Sequence, residues 1–458
     1  MVSQRLRAGR TCLVIAVALA AMPVLADAPW PQWRGPDGQG HAPATHDLPI
    51  TWSETDNVAW KTPLPGRGWS SPVIDERLVW MTTALEREAT DEEKARRAVE
   101  PSGGQARTVS TSLSLRALAV DHATGRLVHD IELFAIDEPQ PIHALNSFAS
   151  PSPVLADGRL VCHFGDFGTA CVETATGKVL WAHRDLRLDH MNGPGSTPVV
   201  WNGLVVVNCD GIDVQFVAAL DAETGRLAWK TARSGTLRDD PDLKKAYATP
   251  IVVRQGDRDV LVSPGADWLY GYDPKTGVEL WRMSYGELGF SVVPRPVAGH
   301  GLLYMSTSFN QPRLLAVKLA DDGRGAEIAW QEKKGAPSMP SPLLVGDRLF
   351  MTSDKGVATL LDARTGATKA TLRLGGNFSS SPVFADGRIY VGNRDGDTFV
   401  IDPDSGPDAA PTVIATNHLD GRIFATPAVV GDSLYIRTDT AIYRLGKRKA
   451  RSASESLD

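Results

Sequence analysis

Short apolar stretches alternate with polar, glycine-containing turns along most of this chain, and the whole alternation repeats. Each repeat opens with a Ser-Pro, Thr-Pro or Arg-Pro pair that leads into an apolar strand. After one longer first interval the prolines recur every roughly 40–50 residues, a period typical of a β-propeller with one blade per repeat. The eight prolines are Pro72, Pro153, Pro198, Pro250, Pro296, Pro342, Pro382 and Pro427.

Within one repeat the pattern predicts four strands. The first two are joined by an Asp-Gly or Gly-Asp turn, because glycine accepts the positive φ of a tight hairpin. The third ends in an Asp-x-x-Thr-Gly turn such as Asp221–Gly225, and the fourth carries a large ring four residues later. These rings are Trp181, Trp229, Trp281 and Trp330, with His129 and Ala370 in their place in two repeats. The sequence therefore predicts an all-β, eight-bladed β-propeller of four-stranded antiparallel blades, with tryptophans packed between blades.

The eighth repeat supplies only three strands, and residues 57–62 have the pattern of a fourth. Pairing the two would close the ring and remove two exposed strand edges. The propeller is thus predicted at residues 57–446, after an N-terminal extension at 27–56. The first interval is longer because of an insertion at 85–112, which contains a densely charged stretch and a candidate short helix around 92–99. It is expected to be either a mobile surface loop or a lid over one mouth of the ring.

The N-terminal 1–26 are predicted to be an export signal. Three arginines precede an apolar run, Leu13–Met22, which is too short to span a bilayer, and cleavage is expected after Ala26. An uncleaved anchor is the alternative. Cys12 lies at the start of the apolar run rather than at its end, which argues against a lipid anchor. A periplasmic or secreted protein with no further transmembrane segment is expected, and 447–458 are predicted to be a disordered tail.

The formal net charge of −6 becomes more negative when the three arginines of the signal are removed. No lysine- or arginine-rich stripe occurs in the body of the chain, so nucleic acid and anionic membranes are poor partner candidates. A protein, peptide or saccharide ligand fits this composition better. A monomer is expected.

Two cysteines flank a predicted hairpin turn at Asp166-Phe167. With a two-residue turn there, Cys162 faces Cys171 at a non-hydrogen-bonded site, where Cα atoms are closest. That spacing permits a disulfide, and an exported protein meets oxidising conditions. Two buried thiols are the alternative. Cys209 is left without a partner and is expected to be buried and inert.

The combination Ser/Thr-Pro-Val, Asp-Gly-Arg-Leu and Leu-Asp-x-x-Thr-Gly-x-x-x-Trp resembles the pyrroloquinoline-quinone-like propeller repeats. These repeats occur in quinoprotein alcohol dehydrogenases and in the outer-membrane assembly factor BamB. The resemblance covers approximately residues 57–445. The opening Trp30-Pro31-Gln32-Trp33-Arg34-Gly35-Pro36 is similar to exported bacterial propellers of this family, most of which have no assigned function.

The resemblance implies a possible cofactor that the motifs do not support. The dehydrogenases hold pyrroloquinoline quinone in the axial funnel with calcium or a lanthanide, and many cover it with a disulfide between adjacent cysteines. This sequence has no Cys-Cys pair and no Cys-x-x-Cys-His haem motif. It also lacks His-Glu-x-x-His, Gly-x-Ser-x-Gly and the phosphate-binding loop motif. No cofactor is therefore expected, and the quinone with calcium is the alternative.

Propeller geometry locates a candidate site at one face of the ring. The leading loops, which precede the proline-led strands, share this face with the loops between second and third strands. The leading loops carry aromatic side chains, and the loop before the third blade adds a histidine and an asparagine. The resulting rim candidates are Trp69, Phe148, His190, Asn192, Tyr247, Phe290, Phe378 and Phe424. The alternative is that the aromatics fill the channel as core and that the loop of His190 and Asn192 is structural.

The loops between second and third strands are rich in acids and amides. Carboxylates suit calcium, although neither acidic cluster has a complete ligand set. The weak metal candidates are Asp210, Asp213, Asp395 and Asp397. Strong repeats without catalytic motifs favour an exported, non-catalytic binding or scaffold propeller of the bacterial cell envelope. The alternatives are a quinone-dependent dehydrogenase with an atypical site and a BamB-like partner in outer-membrane assembly.

Overall fold

A computed structural model describes residues 28–43, 45, 47–97, 105–403 and 410–446. The predicted signal at 1–26 and the predicted tail at 447–458 lie outside these residues, and both stay predictions.

Eight four-stranded antiparallel sheets form an eight-bladed propeller, which confirms the predicted fold. The proline-led strand of each blade is innermost, and the first strands of neighbouring blades contact one another around the axis. From the inner to the outer strand, the first four blades are Val73–Ile74, Leu78–Glu88, Ser110–Asp121 and Leu127–Asp137 (blade 1); Val154–Ala156, Arg159–His163, Thr169–Glu173 and Val179–His183 (blade 2); Val199–Trp201, Leu204–Asp210, Gln215–Asp221 and Leu227–Ala232 (blade 3); Ile251–Gln255, Arg258–Pro264, Trp268–Tyr272 and Glu279–Ser284 (blade 4).

The second half of the ring repeats this order. Its blades are Val297–Gly299, Leu302–Ser306, Leu314–Leu319 and Ala326–Glu332 (blade 5); Leu343–Val345, Arg348–Thr352, Val357–Asp362 and Thr368–Arg373 (blade 6); Val383–Ala385, Arg388–Gly392, Asp397–Asp402 and Thr412–His418 (blade 7); Ala428–Val430, Ser433–Arg437, Ala441–Leu445 and Val58–Pro63 (blade 8). Two short ladders lie outside the blades and pair Arg107–Thr108 with Ile142–His143 and Gly289–Phe290 with Phe309–Asn310.

The ring is closed as the sequence predicts. The strand Val58–Pro63 pairs antiparallel with Ala441–Leu445 and completes blade 8. Trp60 of this strand donates its indole N–H to the carbonyl of His122 in blade 1, at 3.0 Å. The closing strand therefore both completes its own sheet and packs on the next one.

The tryptophan of the fourth strand joins one blade to the next in blades 2, 3 and 5. Trp181 of blade 2 donates to the carbonyl of Ala222 in blade 3 at 3.0 Å, and its ring lies against Gly225. A Cβ added at Gly225 would come within 2.5 Å of that ring, so the turn glycine is required by packing as well as by its φ of +70°. Trp229 and Trp330 make the same contact with the following blades.

The Ser/Thr-Pro pairs build a ring of hydrogen bonds around the axis. Each hydroxyl before a unit proline accepts a bond from the corresponding backbone N–H of the preceding blade, at 2.8–3.1 Å. The hydroxyls that accept are those of Ser152, Thr197, Thr249, Ser341, Ser381, Thr426 and Ser71. Arg295 interrupts the ring in blade 5, because a guanidinium has no acceptor atom.

The strands of blade 1 run further into the predicted insertion than the sequence suggested. Leu85–Glu88 still pairs with residues of Ser110–Asp121, so the connecting segment begins after Glu88. A helix follows at Asp91–Arg97, close to the predicted one. Thr90 caps it by exchanging side-chain and backbone bonds with Glu93, the reciprocal pattern of a capping box. Residues 98–104 lie outside the described residues.

The prediction of a cross-strand disulfide is wrong, because the two strands pair in a register that differs by one residue from the predicted one. Gly165–Phe167 form a 3₁₀ turn instead of a two-residue turn, so that Cys162 faces Ala170 and Cys171 faces Val161. Neighbouring positions on a strand point to opposite faces. Cys162 packs in the core between blades 1 and 2, Cys171 packs between blades 2 and 3, and both thiols are free and buried.

Thiol counting tests this arrangement. The protein without residues 1–26 is expected to show three reactive sulfhydryls when it is unfolded without reductant, since Cys209 is also free and buried. A count of one would mean that a disulfide forms and that the register described here is incorrect. Counting again after reduction provides the control.

Candidate functional site

A cavity of about 610 Å³ opens on the ring axis at the face of the leading loops. This volume lies within the range of about 300–1,000 Å³ that is common for ligand sites. Of the eight predicted rim residues, the cavity is lined by Trp69, Asn192, Tyr247, Phe290 and Phe424.

The other three predicted rim residues belong to the core. Phe148 packs against Phe167 and Phe378 against Phe399, each between blades and without solvent exposure. His190 is also buried. Its Nε2 accepts the backbone N–H of Asp166 at 2.8 Å, and burial lowers its pKa to about 4. Five of the eight candidates thus line the cavity and three lie in the core, and a binding role for the five stays a prediction.

One wall of the cavity is an aromatic pair covered by arginines. The rings of Trp69 and Phe424 stack at 4.2 Å. The guanidinium of Arg67 lies over Trp69 at 5.1 Å, and that of Arg394 lies over Phe424 at 5.6 Å. Arg422 contacts both rings. Trp69 is only 9% exposed, because Phe424 and these guanidinium groups pack around its ring.

The wall from blades 3 to 5 contains a buried ammonium group. Lys245 is only 2% exposed, lies 5.3 Å from the ring centre of Phe290, and donates to the carbonyl of Asp242. Burial lowers its pKa. Tyr247 beside it donates its hydroxyl to the carbonyl of His190 at 2.6 Å, which fixes the leading loop of blade 4.

The insertion of blade 1 reaches the rim. Its Arg107 pairs with His143 in a short ladder, and the Arg107 guanidinium donates to the carbonyl of Met191. His143 is half-buried and lines the cavity. Burial lowers the pKa of His143, and the charges of Arg107 and Arg394 lower it further. The potential at this part of the mouth is therefore positive.

The floor of the cavity is formed by the N-terminal extension. Residues 30–42, called the plug below, cross the end of the channel opposite the mouth. Trp30 exchanges two backbone bonds with Ile74 of blade 1, and Trp33 donates its indole N–H to Thr426 in the hydroxyl ring. Further backbone bonds tie the plug to Leu155 and Phe384. Among the described residues the cavity is thus a blind pocket, closed at this end by the plug.

Two buried arginines hold the plug in place. Arg34 has no solvent exposure and donates to the carbonyl of Pro342 at 2.7 Å, and the buried Arg295 donates to that of Trp33 at 3.3 Å. Burial, and then the charge of Arg295, lowers the pKa of Arg34 to about 9. Gly38 allows the close approach, since a Cβ there would lie 2.3 Å from the Arg295 guanidinium.

The metal candidates are engaged in protein contacts. The carboxylate of Asp210 forms a buried ion pair with Arg233 at 2.6 Å, and that of Asp397 lies 2.9 Å from His418. Asp213 accepts the backbone N–H of Asp189. Asp395 has no cluster of further metal-ligating side chains around it among the described residues. Among the described residues, no cluster of three or more His, Cys, Asp or Glu side chains is suited to a metal ion.

The lining groups are suited to binding. His143 Nδ1 accepts the backbone N–H of Leu145 at 3.1 Å. Among the contacts of the described residues, His143, the histidine that lines the cavity, is bonded to no serine hydroxyl and no thiol. The cavity therefore offers apolar surface, hydroxyls and cations, without an assembled nucleophile–base pair.

The repeat pattern and the closed ring define the class: this is a β-propeller of quinone-like repeats. A family model described as outer membrane protein assembly factor BamB matches residues 87–266, 195–324 and 265–455. Together these matches extend over well more than half of the chain, and the protein belongs to that family.

Curated relatives are distant and longer than the matched part. BamB of Moranella endobia is 22% identical over 253 residues, which are 54% of this chain and 61% of the relative. BamB of Shewanella oneidensis is 24% identical over 254 residues, which are 54% of this chain and 60% of the relative. The chain thus spans about three-fifths of the length of these relatives.

Solved structures share the fold. BamB from Moraxella catarrhalis has a TM-score of 0.50 at 14% identity, with 82% of this chain and 99% of that chain covered. The quinohemoprotein alcohol dehydrogenase of Comamonas testosteroni has a TM-score of 0.60 at 10% identity, with 94% of this chain and 82% of that chain covered. In the described ranges, no helix has the length and apolar character needed to cross a membrane.

Proposed function

We propose that this protein is a binding propeller of the bacterial cell envelope that holds one ligand or partner segment in its mouth cavity. The observation that carries the proposal is the blind pocket itself, which has a plug for a floor and loops from several blades for walls. Propellers commonly use the axial mouth for binding while the blades supply a rigid frame.

An envelope location is supported by two independent features. The N-terminal residues have the composition of an export signal. The family and the curated relatives are named for outer membrane protein assembly. A role as a partner in that assembly is part of this proposal, since the printed names describe the relatives.

The second candidate is a quinone-dependent dehydrogenase, which the fold likeness to a quinohemoprotein alcohol dehydrogenase suggests. The residues present do not fit the quinone. Trp69 is only 9% exposed and packs against Phe424 and Arg67, so it leaves little ring surface on which a planar cofactor could stack. The carboxylates that line the cavity, Asp240 and Asp242, lie in one loop beside the Lys245 ammonium, and no cluster of three or more metal-ligating side chains occurs among the described residues.

Native mass spectrometry of protein purified from its host tests the proposal. The wild type is expected to retain an additional mass. Val293→Trp, which fills the lined cavity, is expected to lose it, because the indole occupies the same volume. Val214→Trp makes the same exchange at an exposed position that does not line the cavity, and it should keep the mass.

Two results would overturn the binding proposal. One is that neither wild type nor Val214→Trp carries any additional mass under gentle conditions. The other is turnover of alcohols with a dye acceptor after the protein is reconstituted with pyrroloquinoline quinone and calcium.

A further inference from the structure

We infer that the mouth cavity takes an acidic peptide segment that also carries apolar side chains. This inference rests on the proposed function and names the chemistry of its ligand. It is drawn from the charges, the ring contacts and the exposed apolar side chains at the mouth.

The mouth concentrates cations that have no described carboxylate within ion-pair distance. Arg67, Arg107, Lys245 and Arg394 form no ion pair with any described carboxylate. Arg394 instead donates to the hydroxyl of Ser379 at 2.8 Å. A charged group that is partly buried and not neutralised is costly unless a counter-charge is supplied. An acidic ligand would supply that counter-charge.

The acidic side chains around the mouth attract these cations only from beyond ion-pair distance, as Glu86 does for Arg67 and Asp354 for Arg394. Asp267 is paired with Arg238 at 2.8 Å, and Asp354 accepts the backbone N–H of Ser338 at 2.6 Å. The carboxylates among the lining residues are Asp240 and Asp242, both in the leading loop of blade 4. Lys245 shares this loop, whereas Arg67 and Arg394 belong to the opposite side of the ring, near blades 1 and 7; Arg422 beside them is paired with Asp439 at 2.9 Å. The arginines and the acidic loop therefore lie on opposite sides of the cavity.

The positive mouth is a local feature, because the whole chain has a net charge of −6. A cleft of one sign in a protein of the other sign attracts ligands selectively. Guanidinium groups in particular bind carboxylates through paired donors.

The aromatic contacts favour a peptide over a saccharide. Sugars bind to open aromatic faces, whereas Trp69 and Phe424 stack on each other, contact arginines and are each only 9% exposed, which leaves Phe309 as the exposed ring among the lining residues. At the same time Leu145 and Phe309 line the cavity with 44% and 38% of their surface exposed. Exposed apolar side chains at a binding mouth suit the apolar side chains of a peptide. The combination points to alternating acidic and apolar residues.

The test uses the full chain without its signal and a short fluorescent peptide that alternates Glu and Leu. Matched peptides replace every Glu with Gln or with Lys. Fluorescence anisotropy should show the Glu peptide binding at least about tenfold more tightly than the Gln peptide, with an affinity that falls as salt rises. The Lys peptide should not bind.

Two mouth variants and one control locate the interaction. Arg394→Gln and Lys245→Met are each expected to weaken the Glu peptide about tenfold, because each removes one cation from the cavity. Lys369→Gln removes a charge from the exposed outer strand of blade 6 and should leave the affinity unchanged. Circular dichroism melts show whether each variant remains folded.

The outcomes separate this inference from the proposed function. If the Gln peptide binds as tightly as the Glu peptide and Val293→Trp abolishes both, the binding function stands and the acidic chemistry is wrong. If a small polycarboxylate such as citrate binds more tightly than the peptide and displaces it, the mouth is an anion site and the peptide assignment is wrong. If Arg394→Gln and Lys245→Met bind the Glu peptide as the wild type does, the assignment to this cavity fails.

Discussion

Replacing Trp181 with alanine is expected to lower the free energy of unfolding by about 3–5 kcal/mol, the usual cost of truncating a large buried aromatic side chain. The ring is 91% buried by its own blade and by the turn of blade 3, and its N–H donates to Ala222 at 3.0 Å. The change removes both the apolar contact and the hydrogen bond between two blades. Urea denaturation followed by circular dichroism measures the loss.

Leu180→Ala is the matched control for this prediction. Leu180 precedes Trp181 on the same strand but points outward with 38% exposure, so the cost should stay below about 1 kcal/mol. Trp181→Phe retains most of the buried area and should fall between the two variants. A Trp181→Ala protein as stable as Leu180→Ala would mean that the repeated tryptophans do not hold the blades together.

The second large effect is a loss of stability in acid. Burial lowers the pKa of His163 to about 3 and that of His190 to about 4, against 6.5 in the unfolded chain. Below pH 6.5 the unfolded state therefore binds protons that the folded state does not bind. Full stability is present above this pH and is lost as the pH falls towards 4, by about 1.4 kcal/mol per pH unit for each histidine.

His190→Gln isolates this effect from other titrating groups. The glutamine amide oxygen can accept the Asp166 N–H in place of Nε2 and carries no proton in acid. The difference in unfolding free energy between wild type and variant should be flat above pH 6.5. Below it, the wild type should lose about 1.4 kcal/mol per pH unit relative to the variant. A difference that stays constant down to pH 4 would show that His190 is not held neutral.

Much of the fold was predictable because local signals agree with it. Turn glycines such as Gly225, the hydroxyls before the unit prolines and the tryptophans such as Trp181 recur at one period and make the same contacts in most blades. Even the closing strand had the alternation of its partner strands. The disulfide failed at a finer level, since Gly165–Phe167 form a 3₁₀ turn and a single added residue moves Cys162 and Cys171 to opposite faces.

The site was less predictable because it depends on contacts between distant segments. Arginines such as Arg34 and Arg295 are expected at the surface from the sequence. Only the folded chain shows that Arg34, within the plug, and Arg295, which contacts the plug, are both buried. The one local signal was Arg295 itself, which stands where the other repeats have serine or threonine. Loop position alone could not separate Phe148, which points between blades, from Trp69, which lines the cavity. The cations of the mouth come from four loops and form no motif.

The closing strand has a consequence for how the protein is made. Glu54 and Tyr443 are hydrogen-bonded at 2.9 Å although 389 residues separate them in the chain. The ribosome must therefore finish almost the entire polypeptide before the first strand can meet its neighbour. Until then the nascent chain carries an open sheet edge at each end, and contacts of such high sequence separation form slowly. The interval between the end of synthesis and closure is when this protein most needs protection from aggregation.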